Sequence, residues 1–95
     1  MELAGRVFVV TGGGDGIGRE VVKGLLARGA TVAAVDLKQD GLDGTAALVS
    51  ASGARLSTHA IDVTDRERIA ALPDEVITAH GQVDGLVNVA GIIQK

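Results

Sequence analysis

The sequence predicts an α/β domain built on a parallel sheet. Short aliphatic runs alternate with longer amphipathic ones along the chain. Hydrophobic residues make up 46% of it, yet Phe8 is the one aromatic. A glycine-rich stretch, Thr11 to Gly18, separates the first run from the second. Strands covered on both faces read as unbroken aliphatic runs. Strands separated by crossover helices imply parallel pairing.

Arg6–Thr11 (R-V-F-V-V-T) reads as a buried first strand. Gly16–Arg28 follows as a helix, with Ile17, Val21, Val22, Leu25 and Leu26 on its apolar face and Arg19, Glu20, Lys23 and Arg28 opposite. Gly29 suits its C-terminal stop. Thr31–Asp36 (T-V-A-A-V-D) is the second strand. A weaker helix is expected from Asp43 to about Ser52, with Ala46, Leu48 and Val49 as its apolar content. Arg55–Ile61 is the third strand, diluted by Ser57, Thr58 and His59.

Thr64 looks like an N-cap, with Glu67 as its reciprocal partner. The helix it opens should run to about His80 and end at Gly81. Pro73 falls inside it and predicts a kink or break near Leu72, because proline has no N–H for the carbonyl four residues back. Asp84–Val89 (D-G-L-V-N-V) is the last strand. The pattern is β-α-β-α-β-α-β.

The bulk properties narrow the function classes. A chain of 95 residues makes one small domain at most. The net charge of −3 and the lack of a basic cluster argue against nucleic acid or an anionic membrane as partner. The absence of cysteine excludes disulfides, thiol catalysis and thiolate metal sites. No secretory signal precedes Val7, and Val7–Val10 is far too short to span a bilayer, so a cytoplasmic location is expected. His59 and His80 read as structural or solvated, with a cation favoured at His80 near a helix end. Asp65, Glu67, Asp74 and Glu75 read as a solvated helix face.

The chemistry lies in Thr11-Gly12-Gly13-Gly14-Asp15-Gly16-Ile17-Gly18. Glycine allows a sharp turn and lets a phosphate approach the main chain. The N–H groups opening the next helix then attract the anion. A P-loop would need Lys and Ser or Thr where Arg19 and Glu20 stand. The register G-x-G-x-x-G fails too, at Ile17 or at Arg19. What remains is T-G-x-x-x-G-x-G, a turn in which a phosphate is expected to sit.

With that spacing the chain resembles the classical short-chain dehydrogenases/reductases, whose cofactor motif follows the first strand. The extended branch would need glycine where Asp15 stands, which disfavours a sugar-nucleotide epimerase. Further matches follow in order: Asp36 ends the second strand, Asp62-Val63 follows the third, and Asn88-Val89-Ala90-Gly91 ends the fourth, where the family usually has N-N-A-G. The resemblance implies a Rossmann-type sheet of order 3-2-1-4. It also implies cofactor contacts at Thr11, Gly12, Gly14, Asp15, Gly16, Ile17 and Gly18 in the turn, and at Asp36 and Leu37 after the second strand. Asp62 would hydrogen-bond the adenine amino group and Val63 would touch the ring; a helix N-terminal carboxylate is the other reading of Asp62. Asn88 would tie the central strand to its neighbours as a buried amide. Val89, in place of the second Asn, leaves only a main-chain contact to the ribose, and Ala90 and Gly91 keep the chain small beside the nicotinamide half.

The expected cofactor is NAD. Asp36 can accept from the adenosine ribose hydroxyls and repels a 2′-phosphate. Asp15 stands where NADP-preferring relatives are often basic, while Lys38 works the other way. The family transfers hydride between nicotinamide and an alcohol or carbonyl, using Ser, Tyr and Lys beyond the fourth strand. This chain has no Tyr and stops at Lys95. The expectation is a truncated chain: a dinucleotide-binding half-domain over residues 1–95, its catalytic half absent, inactive alone. Its fourth strand would be an open edge, favouring homo-oligomers or association with further chain. The alternative is a non-catalytic dinucleotide-binding or interaction module natural at this length.

Overall fold

The computed structural model describes residues 2–14, 16–49 and 55–89. Seven elements follow in order: β1 (Val7–Thr11), α1 (Gly16–Ala27), β2 (Thr31–Asp36), α2 (Gln39–Val49), β3 (Leu56–Ala60), α3 (Arg66–His80) and β4 (Gly85–Asn88). The strands form a four-stranded sheet of order β3-β2-β1-β4. Every pairing in it is parallel. The α/β class and the strand order expected from the sequence are both observed.

The sheet divides the core in two. Alternate strand residues face opposite sides. Val10, Val32 and Ala34 join Val22 of α1, Leu42 of α2 and Val89 on one face. Val7, Val9, Ala33 and Val35 join Ile61, with Leu72 and Val76 of α3, on the other. The aliphatic composition thus reflects strands buried from both sides. Phe8 lies opposite Gly85 of β4, where a Cβ would come within 2.9 Å of its ring.

Helix ends follow their glycines. Gly29 has φ +86°, and the N–H groups of Gly29 and Ala30 return to the carbonyls of Leu26 and Leu25. This paired closure is the Schellman ending. Gly81 has φ +88° and donates to the Ile77 carbonyl at 2.7 Å. At the start of β4, the Asp84 carboxylate accepts from the Val7 N–H at 2.8 Å and from Gln82 at 2.6 Å. Those bonds, led by Val7, hold its pKa below the usual carboxylate value.

Several expectations are corrected. α2 begins at Gln39, not Asp43. Gly41 and Gly44 weaken its helical signal, and packing against the glycine turn overrides propensity. Its expected end near Ser52 lies outside the described residues. The N-cap of α3 is Asp65, whose side chain accepts from the Arg68 N–H. Thr64 is drawn away from that role, because its hydroxyl donates to Asp62. α3 continues unbroken through Pro73, with Leu72 and Val76 buried on either side of it. That packing holds both halves of the helix on the sheet.

The histidines are not independent surface groups. Nε2 of His59 and Nε2 of His80 each lie 2.8 Å from Ser57 Oγ. His59 Nδ1 is 3.4 Å from Glu75, which Arg68 also pairs. Glu75 is therefore part of a lock between α3 and β3, and the Arg68 bond lowers its pKa. His80 moves oppositely to the cation expected at a helix end: burial, then the nearby His59, lowers its pKa.

Candidate cofactor-binding site

The site residues collect at the C-terminal ends of the parallel strands, where open α/β sheets take ligands. Thr11 ends β1, Asp36 ends β2, and Asn88 ends β4. Asp62 follows β3.

The glycine turn is braced from the sheet side. Gly12 turns the chain at φ +79°. The N–H groups of Gly12 and Gly13 donate to the Val35 carbonyl at 2.7 and 3.1 Å. The Gly14 N–H donates to Asp36 Oδ2 at 2.9 Å. These amides are already engaged by β2 and its end. The donors left for an anion are those of the first turn of α1, which have no partner within the helix. Gly16 opens that turn at φ +56°, and a Cβ there would meet nothing within 4 Å. Ile17 beside it is 53% exposed, so it belongs to the open surface and not to the apolar face of α1.

Gly18 sits where no side chain fits. A Cβ on it would lie 1.7 Å from the Gly12 carbonyl oxygen. The close packing that it permits is therefore between α1 and the turn itself. A Cβ on Gly14 would lie 2.6 Å from Asp36 Oδ2.

Asp36 faces a cavity of about 360 Å³ lined by Gly14, Asp36, Leu37, Lys38 and Gly41. Its Oδ1 accepts from the Leu37 N–H at 2.7 Å. The carboxylate thus braces the turn and lines the hollow beside it. Leu37 and Lys38 are exposed on its rim.

Asp62 is exposed and makes a tight local turn. Its Oδ1 accepts from Thr64 Oγ1 at 2.7 Å and from the Thr64 N–H at 2.9 Å. These bonds lower its pKa, the side-chain one most. Val63 is exposed beside it. Asn88 Oδ1 accepts from Thr11 Oγ1 at 2.7 Å, linking β4 to β1. That cross-strand tie was expected, but the residue is exposed, not buried. The Val89 side chain is 2% exposed within the core, and its N–H donates to the Thr11 carbonyl. Asp15, Ala90 and Gly91 lie outside the described residues. Among the described residues, no group of three or more His, Cys, Asp or Glu is placed to hold a metal, and no helix is long and apolar enough to cross a membrane.

Sequence reasoning missed the other side of the turn. Arg19 and Thr45 reach its carbonyls from α1 and α2. The available signal was a pair of helical glycines, Gly41 and Gly44, beside a threonine.

Residues 6–95 match the family model described as short chain dehydrogenase. The chain is 43% identical over 94 residues to fluoren-9-ol dehydrogenase of Terrabacter sp. (strain DBF63), covering 99% of this chain and 26% of that protein. A short-chain type dehydrogenase/reductase from Mycobacterium ulcerans superposes with a TM-score of 0.86 at 34% identity, over 94% of this chain and 34% of that one. An NAD+-bound xylitol dehydrogenase superposes with a TM-score of 0.84 at 29% identity, over 90% of this chain and 33% of that one. The chain thus spans about a quarter to a third of the length of these relatives.

Proposed function

We propose, from the premise that this chain belongs to the short-chain dehydrogenase family, that it is the NAD-binding portion of an oxidoreductase acting on an alcohol or carbonyl. The observation that carries the reading is the turn itself. Its sheet-side amides are taken, Gly16 and Ile17 at the start of α1 are exposed, and a Cβ on Gly16 would meet nothing within 4 Å. That arrangement suits a pyrophosphate at a helix N-terminus.

The cavity beside Asp36 suits the adenosine ribose. A carboxylate there accepts from ribose hydroxyls and disfavours a 2′-phosphate, which supports NAD over NADP. The exposed Lys38 on the same rim makes the preference one of degree. Asp62 and Val63 would meet the adenine, and the strand end at Asn88 and Val89, with Ala90 and Gly91, would pass the nicotinamide half. Bound NAD would supply the hydride acceptor. This chain's residues would bind and orient it. The proton donor would come from outside these residues, since the chain has no Tyr. We therefore assign residues 1–95 to a dinucleotide-binding half-domain that is inactive alone.

The test is a titration of the polypeptide with NADH and NADPH, followed by cofactor fluorescence. Tighter binding of NADH is expected. Tighter binding of NADPH would overturn the preference, and no binding of either would overturn the site. An assay of NAD-dependent alcohol oxidation by the same polypeptide should show no turnover.

A further inference from the structure

The far side of the glycine turn is held by residues to which the cofactor reading gives no role. Arg19 projects from α1, half-buried, toward α2. Its Nη2 donates to the Gly14 carbonyl at 2.6 Å and to the Gly41 carbonyl at 3.1 Å. Its Nε donates to Thr45 Oγ1 at 2.9 Å. Thr45 is fully buried, and its hydroxyl donates onward to the Gly13 carbonyl at 2.8 Å. Two successive turn carbonyls, Gly13 and Gly14, are thus drawn toward α2 by one guanidinium and one hydroxyl.

α2 is shaped to accept this. A Cβ on Gly41 would lie 2.9 Å from the Gly14 carbonyl oxygen, and a Cβ on Gly44 would lie 2.7 Å from Arg19 Nη2. A glycine inside a helix is unfavourable relative to alanine. Here both remove a Cβ where the turn and the guanidinium approach.

We propose that Arg19, acting with Thr45, is a positioning residue for the dinucleotide: it fixes the peptide planes of the turn before the cofactor arrives. This rests on the cofactor reading above. The guanidinium geometry has a specific consequence. Its acceptors among the described residues are protein oxygens, and it is absent from the lining of the cavity beside Asp36. Arg19 should therefore support NAD and NADP alike, leaving discrimination to Asp36. Lysine would keep the charge but lose the planar fork that serves acceptors on the turn and on α2.

The experiment compares the wild-type polypeptide with Arg19→Met, Arg19→Lys, Thr45→Val and Thr45→Ser. Far-UV circular dichroism checks that each is folded. Arg19→Met and Thr45→Val should raise the Kd for NADH and for NADPH by the same factor, about tenfold. Thr45→Ser, which keeps the hydroxyl, should bind as wild type does, and Arg19→Lys should rescue little. A second readout needs no cofactor. Amide hydrogen exchange of Gly12 to Gly14 should accelerate in Arg19→Met while β1 and β2 stay protected. Wild type that binds neither cofactor defeats the parent reading alone, and turn protection still judges the clamp. Turn protection unchanged in Arg19→Met, or NADH affinity within about twofold of wild type, would overturn the clamp. A change in the NADH-to-NADPH ratio would overturn the claim that Arg19 stands outside discrimination.

Discussion

The Asp36 carboxylate accepts the Gly14 N–H at 2.9 Å, so the end of β2 holds the middle of the glycine turn. One side chain therefore has two roles, bracing the turn and lining the hollow beside it. Asp36→Ala should weaken NADH binding about tenfold and narrow or reverse the preference over NADPH. Paired titrations of the variant and the wild type measure both effects. Equal affinities in variant and wild type for both cofactors would remove Asp36 from the site.

Gly18→Ala tests the contact between α1 and the turn. Its Cβ would fall 1.7 Å from the Gly12 carbonyl oxygen, and backbone must move to admit it. We expect stability to fall by about 3 kcal/mol, with cofactor binding lost. Urea unfolding and an NADH titration follow the two effects. A variant as stable as wild type would contradict the packing described.

His80 sets an acid limit on stability. Its pKa is lowered from an ordinary 6.5, by burial and by the neighbouring His59. The unfolded chain therefore binds this proton more readily than the folded one. The stabilisation is complete above the ordinary value and is lost as pH falls below it toward the lowered folded value. The groups around the shared Ser57 hydroxyl are His59, Glu75 and Arg68, and Glu75 stays ionised through this range because its own pKa is lowered. Urea midpoints should drop between about pH 7.5 and about pH 5.5, and His80→Gln should flatten the drop. A midpoint that rises on acidification would refute the sign.

β4 pairs only with β1 among the described strands, and Leu86 on it is 66% exposed. Beside it runs an apolar hollow lined by Val9, Ile69, Leu72, Pro73, Val83 and Leu86. Such an edge invites pairing with another strand. The isolated polypeptide should self-associate, and Leu86→Lys should shift it toward monomer in sedimentation velocity. A monomeric wild type at high concentration would argue against it.

The elements with strong local signals were legible in the sequence. Val7–Thr11 and Thr31–Asp36 read as buried strands because both faces are covered, and Gly29 and Gly81 marked helix ends that their positive φ angles explain. The failures have a common cause in contacts distant along the chain. Gly41 looks like a helix breaker until Gly14 is placed against it. Thr64 looks like a cap until Asp62 takes its hydroxyl. Ser57 and His59 look like polar dilution of a strand, and His80 like a solvated helix end, until α3 docks on β3. In the candidate site, spacing made the turn and Asp36 legible. Arg19 and Thr45 were not, since nothing local says which carbonyls they reach.

The strand order has a consequence for the nascent chain. β1 lies between β2 and β4, yet its bonds to the β4 end, Val7 to Asp84 and Thr11 to Asn88, join residues 77 positions apart. A ribosome needs roughly 4–15 s to make that length of chain. During that interval β1 lacks its β4 partner. The glycine turn, by contrast, is braced by α1, β2 and α2, which are nearer to it in the chain. The partners that brace the turn are therefore all synthesised before the strand that completes the described sheet.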